Sequence, residues 1–217
     1  MSSTTSLNAP QVKAMLLIVA DAVIAAEPYL SEADRNLGDG DHGLGMARGF
    51  NAVKEKLEPL DPSEGIGKLF STAGMAMISS MGGASGAIFG TLFREGGKAL
   101  SAAESFDSEG LGKMLHSATE GVMARGKAKP GDKTMIDALH PAAAKAVESA
   151  GLPISEALAA TAEAAEAGRD ASKAMIATLG RAKTLGQASI GHPDAGACSI
   201  ALILRTMSDF AAAPTAA

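Results

Sequence analysis

Apolar residues recur along this chain at spacings of three and four, as in Leu16, Val19, Val23 or Met46, Phe50, Val53, Leu57. No segment shows four or more clean apolar–polar alternations enriched in β-branched residues, so helices are the regular element available to bury this surface. Composition agrees. The apolar mass is Ala, Leu, Ile and Met with few Val, aromatic residues make up 3%, and there is no Trp. The fold class expected is all-α.

Breakers divide the pattern into eight helices. The first is capped at Asn8, carries Pro10 in its first turn and is disturbed late by Pro28. The second runs from about Leu44 to Leu57, ahead of the Pro59–Pro62 turn. A third carries Ile66, Leu69, Phe70, Met77 and Ile78. A fourth follows the small residues of 79–87 and is weakened at its end by Gly96 and Gly97. Asp107 and Ser108 start the fifth. The loop 126–134 leads to the sixth, with Ile136, Leu139 and Val147. An Ala-rich seventh spans Ser155 to Leu179, and a Gly-rich connection, 180–196, leads to the eighth. Short links make an up-and-down antiparallel bundle or barrel, one domain over 1–217, with residues 1–8 and 211–217 flexible. The second, fourth, sixth and eighth helices each follow a Gly-rich loop. If neighbours alternate in direction, those four loops gather at one end.

Several functions are disfavoured by composition. A net charge of −5 with no Lys/Arg run argues against nucleic acid. No apolar run here is long enough for a bilayer, and residues 1–8 lack the charged and apolar regions of a signal peptide. One cysteine, Cys198, excludes an internal disulfide framework and fits a cytoplasmic setting, where it reads as a small buried residue.

The most distinctive stretch is Asp34-Arg-Asn-Leu-Gly-Asp-Gly-Asp-His-Gly43. Asp34, Asp39 and Asp41 repel one another unless a cation compensates, and oxygen ligands suit a hard divalent metal. A solvated acidic turn is the competing reading. The stretch formally contains G-x-G-x-x-G, but helix-like sequence precedes it where a dinucleotide fold needs a strand. It fails as an EF-hand, because the twelfth position counted from Asp39 is Phe50. Gly126-Lys-Ala-Lys-Pro-Gly-Asp-Lys-Thr134 misses the P-loop register through Asp132. That loop and Gly82-Gly-Ala-Ser-Gly86 can still offer backbone N–H groups to an anion, although helix capping explains either alone. His42, His116, His140 and His192 share no zinc-like spacing. His42, beside the carboxylates, could contact a phosphate or substrate. An acidic loop holding Mg²⁺ and several helix N-termini cradling phosphates together describe a nucleotide site on a helical frame.

These segments, in this order, resemble the L subunit (nucleotide-binding subunit) family of dihydroxyacetone kinases over nearly the whole chain. Asp34-Arg-x-x-Gly-Asp-x-Asp-His-Gly43 is similar to the family's metal loop, and Ser80-Met-Gly-Gly-Ala-Ser-Gly86 to its phosphate loop. Arg125–Met135, Gly180-Arg-Ala and Gly191-His-x-Asp-x-Gly-Ala197 resemble its remaining nucleotide segments. The resemblance implies an eight-helix barrel with nucleotide at one end and two Mg²⁺ on Asp34, Asp39 and Asp41. ADP or ATP would be lined by His42, Gly43, Leu44, Gly45, Ala84, Ser85, Gly126, Met135, Arg181, Asp194, Ala195 and Gly196.

It also implies that the substrate sits on a separate K subunit, so no general base or nucleophile is assigned to this chain. Two donor branches are compatible with it. In one, bound ADP is a coenzyme recharged by a phosphotransferase-system phosphocarrier protein. In the other, ATP is the substrate. The ketose is dihydroxyacetone or a relative such as erythrulose, and a homodimer is compatible with either. A non-catalytic helical regulatory protein is the reading from another class. One position departs from the family pattern: Gly45 stands where Asn is common.

Overall fold

The computed structural model describes residues 4–213. Among them are nine α-helices: α1 (Ala9–Ala25), α2 (Glu27–Arg35), α3 (His42–Leu57), α4 (Ile66–Ser80), α5 (Gly83–Ala99), α6 (Ser108–Gly126), α7 (Ile136–Glu148), α8 (Ile154–Ala171) and α9 (Ala195–Ala212). The expected all-α class holds, and the count of eight is corrected to nine. The first predicted helix breaks at Ala26, with a 54° bend between α1 and α2. Pro28 has no N–H for the carbonyl of Ile24, so the helix cannot continue straight through.

Eight helices still make the barrel. From α3 to α9 each packs on the next, and α9 and α3 both pack against α1, closing the ring; α2 lies against α3 and α9. Helix starts follow local chemistry. Asn8 and Gln11 form a reciprocal capping box with 2.9 Å bonds, and Asp107 accepts from the N–H of Gly110 at 2.8 Å. The interior is lined by Leu, Met and Ala, with Phe50, Phe70, Phe93 and Phe106 in mutual ring contact. Each fully buried large side chain contributes about 1.5–3 kcal/mol of transfer free energy. α9 is apolar over 18 residues because it is a core helix, with 67% of that window buried.

The contact between α4 and α5 depends on glycine. A Cβ on Gly74 would lie 2.6 Å from the Gly90 carbonyl oxygen, and one on Gly97 would lie 2.7 Å from that of Gly67. Gly96 and Gly97, read as weakening the end of the helix, are both buried in its last turns, and α5 continues to Ala99. The seventh predicted helix is shorter than expected. α8 stops at Ala171, passes through a 3-10 turn (Ser172–Ala174) and becomes extended at Met175.

At the N-terminus, Leu7 is buried and exchanges backbone hydrogen bonds with Phe106 at 2.9 and 2.8 Å. Residues 4–8 are thus held, in contrast to the flexibility expected for 1–8. Residues 211 and 212 belong to α9, with Ala211 buried. Ala213 caps α9, and positions 1–3 and 214–217 of the two predicted tails lie outside the described residues.

Candidate functional site

The N-termini of α3, α5, α7 and α9 converge on one end of the barrel, as the alternating topology requires. They border an open cavity of about 980 Å³. Asp34, Asp39, Asp41, His42, Leu44, Gly45, Ala84, Ser85, Gly126, Met135, Arg181, Asp194, Ala195 and Gly196 all line it. Gly43 is the exception among the residues singled out in the sequence. It faces α2, where a Cβ would lie 2.3 Å from the Glu27 carbonyl oxygen, so it permits close packing of α3 on α2.

The acidic loop folds as a tight turn. The N–H groups of Leu37 and Gly38 return to the Asp34 carbonyl at 2.9 and 2.6 Å, and Gly40 has φ +76°. This brings one oxygen from each of Asp34, Asp39 and Asp41 within 4.8 Å of the others. The donor set is oxygen only, which fits a hard divalent cation. Asp34 also accepts from the N–H of His42 at 3.2 Å, which ties the cluster to the start of α3. Arg181 reaches across the mouth, pairing with Asp39 and lying 3.8 Å from Asp41.

Opposite stands the Gly82–Gly83 turn, with φ +71° and +60° at consecutive residues. A Cβ at either position would meet nothing within 4 Å. The glycines are therefore required by backbone conformation, and the space beside them is open cavity. At the start of α9, Asp194 accepts from the N–H of Ala197 at 2.8 Å. Burial pushes its carboxyl up to about 7; the Ala197 bond opposes this, Asp137 adds to it and Lys133 opposes it.

His42 lines the cavity, but its ring is committed to the barrel wall. Nε2 is 2.8 Å from Ser199 Oγ, and the ring lies 6.0 Å from that of Phe89. Burial lowers its pKa, and Asp34 partly offsets this. His116 and His140 are exposed elsewhere, and His192 contributes its carbonyl to a hydrogen bond with Lys133. Cys198 is buried, and burial pushes its thiol pKa up.

Three basic wall residues were not assigned to the site individually from the sequence: Arg48, and Arg125 and Lys133 of the Arg125–Met135 segment. Arg48 had a readable signal, since Asp41, Leu44, Gly45 and Arg48 share one helical face. Its guanidinium donates to the Met81 carbonyl at 2.8 Å and so braces the glycine turn. Arg125 occupies the last turn of α6. Lys133 lies in the loop singled out from the sequence, but its role there was not readable, because it depends on distant backbone.

The signature of the DAK2 domain matches residues 36–209. The chain belongs to the DAK2-domain family of dihydroxyacetone kinase L subunits. It is 40% identical over 205 residues to the PEP-dependent dihydroxyacetone kinase ADP-binding subunit of Escherichia coli, covering 94% of this chain and 97% of that one. It is 42% identical over 178 residues to the equivalent subunit 1 of Listeria innocua, covering 82% and 84%. Similarity extends to the L-erythrulose kinase of Pectobacterium atrosepticum, at 39% over 201 residues, 91% of this chain and 34% of that protein. Among solved structures, the dihydroxyacetone kinase of C. freundii in complex with AMP-PNP and Mg²⁺ superposes with a TM-score of 0.72 at 26% identity. That match covers 96% of this chain, which spans 35% of the C. freundii chain.

Proposed function

We propose that this chain is the ADP/ATP–Mg²⁺-binding, phosphoryl-donor subunit of a dihydroxyacetone or related ketose kinase, acting in the cytoplasm. The observation that carries the reading is the placement of the three-carboxylate cluster and the Gly82–Gly83 turn in one cavity. Asp34, Asp39 and Asp41 would hold Mg²⁺, two ions on the family pattern. When bound, the metal neutralises phosphate charge. The chain's own residues do the rest. The starts of α3, α5 and α9 present N–H groups and positive dipole ends to an anion, and Arg48, Arg125 and Arg181 add charge around it. The remaining lining residues, His42, Leu44, Gly45, Ala84, Ser85, Gly126, Met135 and Asp194 to Gly196, would frame the nucleotide.

The acceptor ketose would be held by a separate K subunit docking at this open end. Leu44, which lines the cavity, leaves apolar surface there at 59% exposure. Relatives named as PEP-dependent, ADP-binding subunits support the branch in which ADP stays bound and is recharged by a phosphocarrier. The similarity to an erythrulose kinase supports the alternative with exchangeable ATP and another ketose.

The test is nucleotide retention followed by transfer. Protein purified and dialysed with Mg²⁺ is expected to carry ADP and, with a K subunit and a phosphocarrier, to phosphorylate dihydroxyacetone. An empty site that turns over with ATP alone would select the other branch. No transfer under either regime would favour a non-catalytic binding protein.

A further inference from the structure

Between α8 and α9 the chain makes a long excursion that carries Leu179–Ala182 to the cavity. Its two feet are close together: the N–H of Gly191 donates to the Lys173 carbonyl at 2.7 Å. One side chain from a third segment holds both feet. Lys133 Nζ donates to the Ser172 carbonyl at 2.6 Å and to the His192 carbonyl at 2.7 Å. Ser172 and His192 flank the excursion immediately on either side. Lys133 is 2% exposed, and its backbone takes the left-handed conformation with φ +59°.

Neither feature is favourable in isolation. A buried ammonium forfeits hydration, and a non-glycine residue at positive φ is strained. The surroundings enforce both. Asp137 accepts from the N–H groups of Gly131 and Thr134 at 2.6 and 2.7 Å, which fixes the loop on either side of Lys133. An apolar side chain of similar length would fill the volume but leave both carbonyls without this donor. The lysine is therefore explained by the feet of the strap rather than by core filling.

We propose that Lys133 is a positioning residue of the donor site: its ammonium clamps both feet of the 173–191 strap and so sets Leu179–Ala182, with Arg181, against the acidic loop. The proposal rests on the nucleotide reading above for its functional consequence, and on geometry alone for the clamp.

Hydrogen exchange on the ligand-free protein separates the two. In Lys133→Met, amides of 173–191 are expected to exchange at least about tenfold faster, the scale of a lost charge-assisted hydrogen bond, while the barrel helices keep their protection. KM for Mg-ADP or Mg-ATP should rise about tenfold with a smaller change in kcat. Mn²⁺ affinity without nucleotide should not fall, because the three carboxylates are untouched and loosening Arg181 only frees Asp39 and Asp41. Lys133→Arg, which keeps a charged donor, should recover most of the strap protection. Unchanged exchange in 173–191, or acceleration spread evenly over all helices, would overturn the clamp. If Lys133→Met does not fold, native-state exchange of the wild-type chain in low denaturant decides. The strap and residues 131–137 should then open as one unit, and separate opening would overturn the proposal. Absence of any nucleotide effect on the wild-type protein would instead defeat the donor-site reading and leave the exchange result standing.

Discussion

Two connections deliver helix starts to the same cavity, and they are built in opposite ways. The link from α4 to α5 is Met81–Gly82, held between helices that touch through Gly67, Gly74, Gly90 and Gly97. The link from α8 to α9 is the 173–191 strap, held by hydrogen bonds to Lys133 and, at Thr178, to Asp132 at 2.7 Å. The first wall is set by van der Waals contact of backbones, which tolerates little displacement. The second is set by a few polar contacts that can break and reform. A site that must grip phosphates yet admit and release a nucleotide or partner is served by one wall of each kind.

The largest break in this comparison should come from the glycine wall. Gly74→Leu forces a side chain against the backbone of Gly90 and Arg94 and is expected to destabilise by about 3 kcal/mol or more, read by denaturant unfolding. Next comes Asp194, whose N–H donates to Ser172 Oγ at 3.0 Å beside the strap's first foot. Burial raises Asp194 from its ordinary 3.8 to about 7, so its contribution is complete below the unfolded value and is lost as pH rises toward about 7. The stability profile of Asp194→Asn should lack that downward slope, measured as melting temperature against pH from 4 to 8. Thr178→Val removes one polar contact of the strap and should cost about 1 kcal/mol, confined in hydrogen exchange to 173–191. The smallest effect is expected at Gly45. A Cβ there meets nothing within 4 Å, so Gly45→Asn should change unfolding stability by less than about 0.5 kcal/mol. Any change in nucleotide affinity would then reflect the added amide.

The same contrast explains what could be read from the chain. Helix starts were legible where a cap and a breaker coincide, as at Asn8–Pro10 and Asp107–Ser108. The grouping of the acidic loop with Gly82, Gly126 and Asp194 followed from counting alternating helices. The end of α8 was not legible, because Ala-rich periodicity runs on to Leu179. The actual stop coincides with the capture of the Ser172 carbonyl by Lys133, 39 residues away in sequence. The bend at Ala26 was only half legible, since Pro28 marks a disturbance without saying that a separate helix follows. Gly96 and Gly97 read as weakness in isolation and proved to be contact surfaces, Gly97 against α4 and Gly96 against Met114 of α6. Gly43 similarly serves α2 packing, while Arg48 emerges only when the face shared with Asp41 and Leu44 is traced.

The central claim is that Asp34, Asp39 and Asp41 hold the cation through which this cavity binds nucleotide. Calorimetric titration of ADP into the nucleotide-free protein, with and without Mg²⁺, tests it most directly when repeated on the Asp39→Asn/Asp41→Asn double variant. The account predicts Mg²⁺-dependent binding in the natural chain and its loss in the variant, with the barrel still folded. Equal ADP affinity in both proteins, or binding indifferent to Mg²⁺, would contradict it.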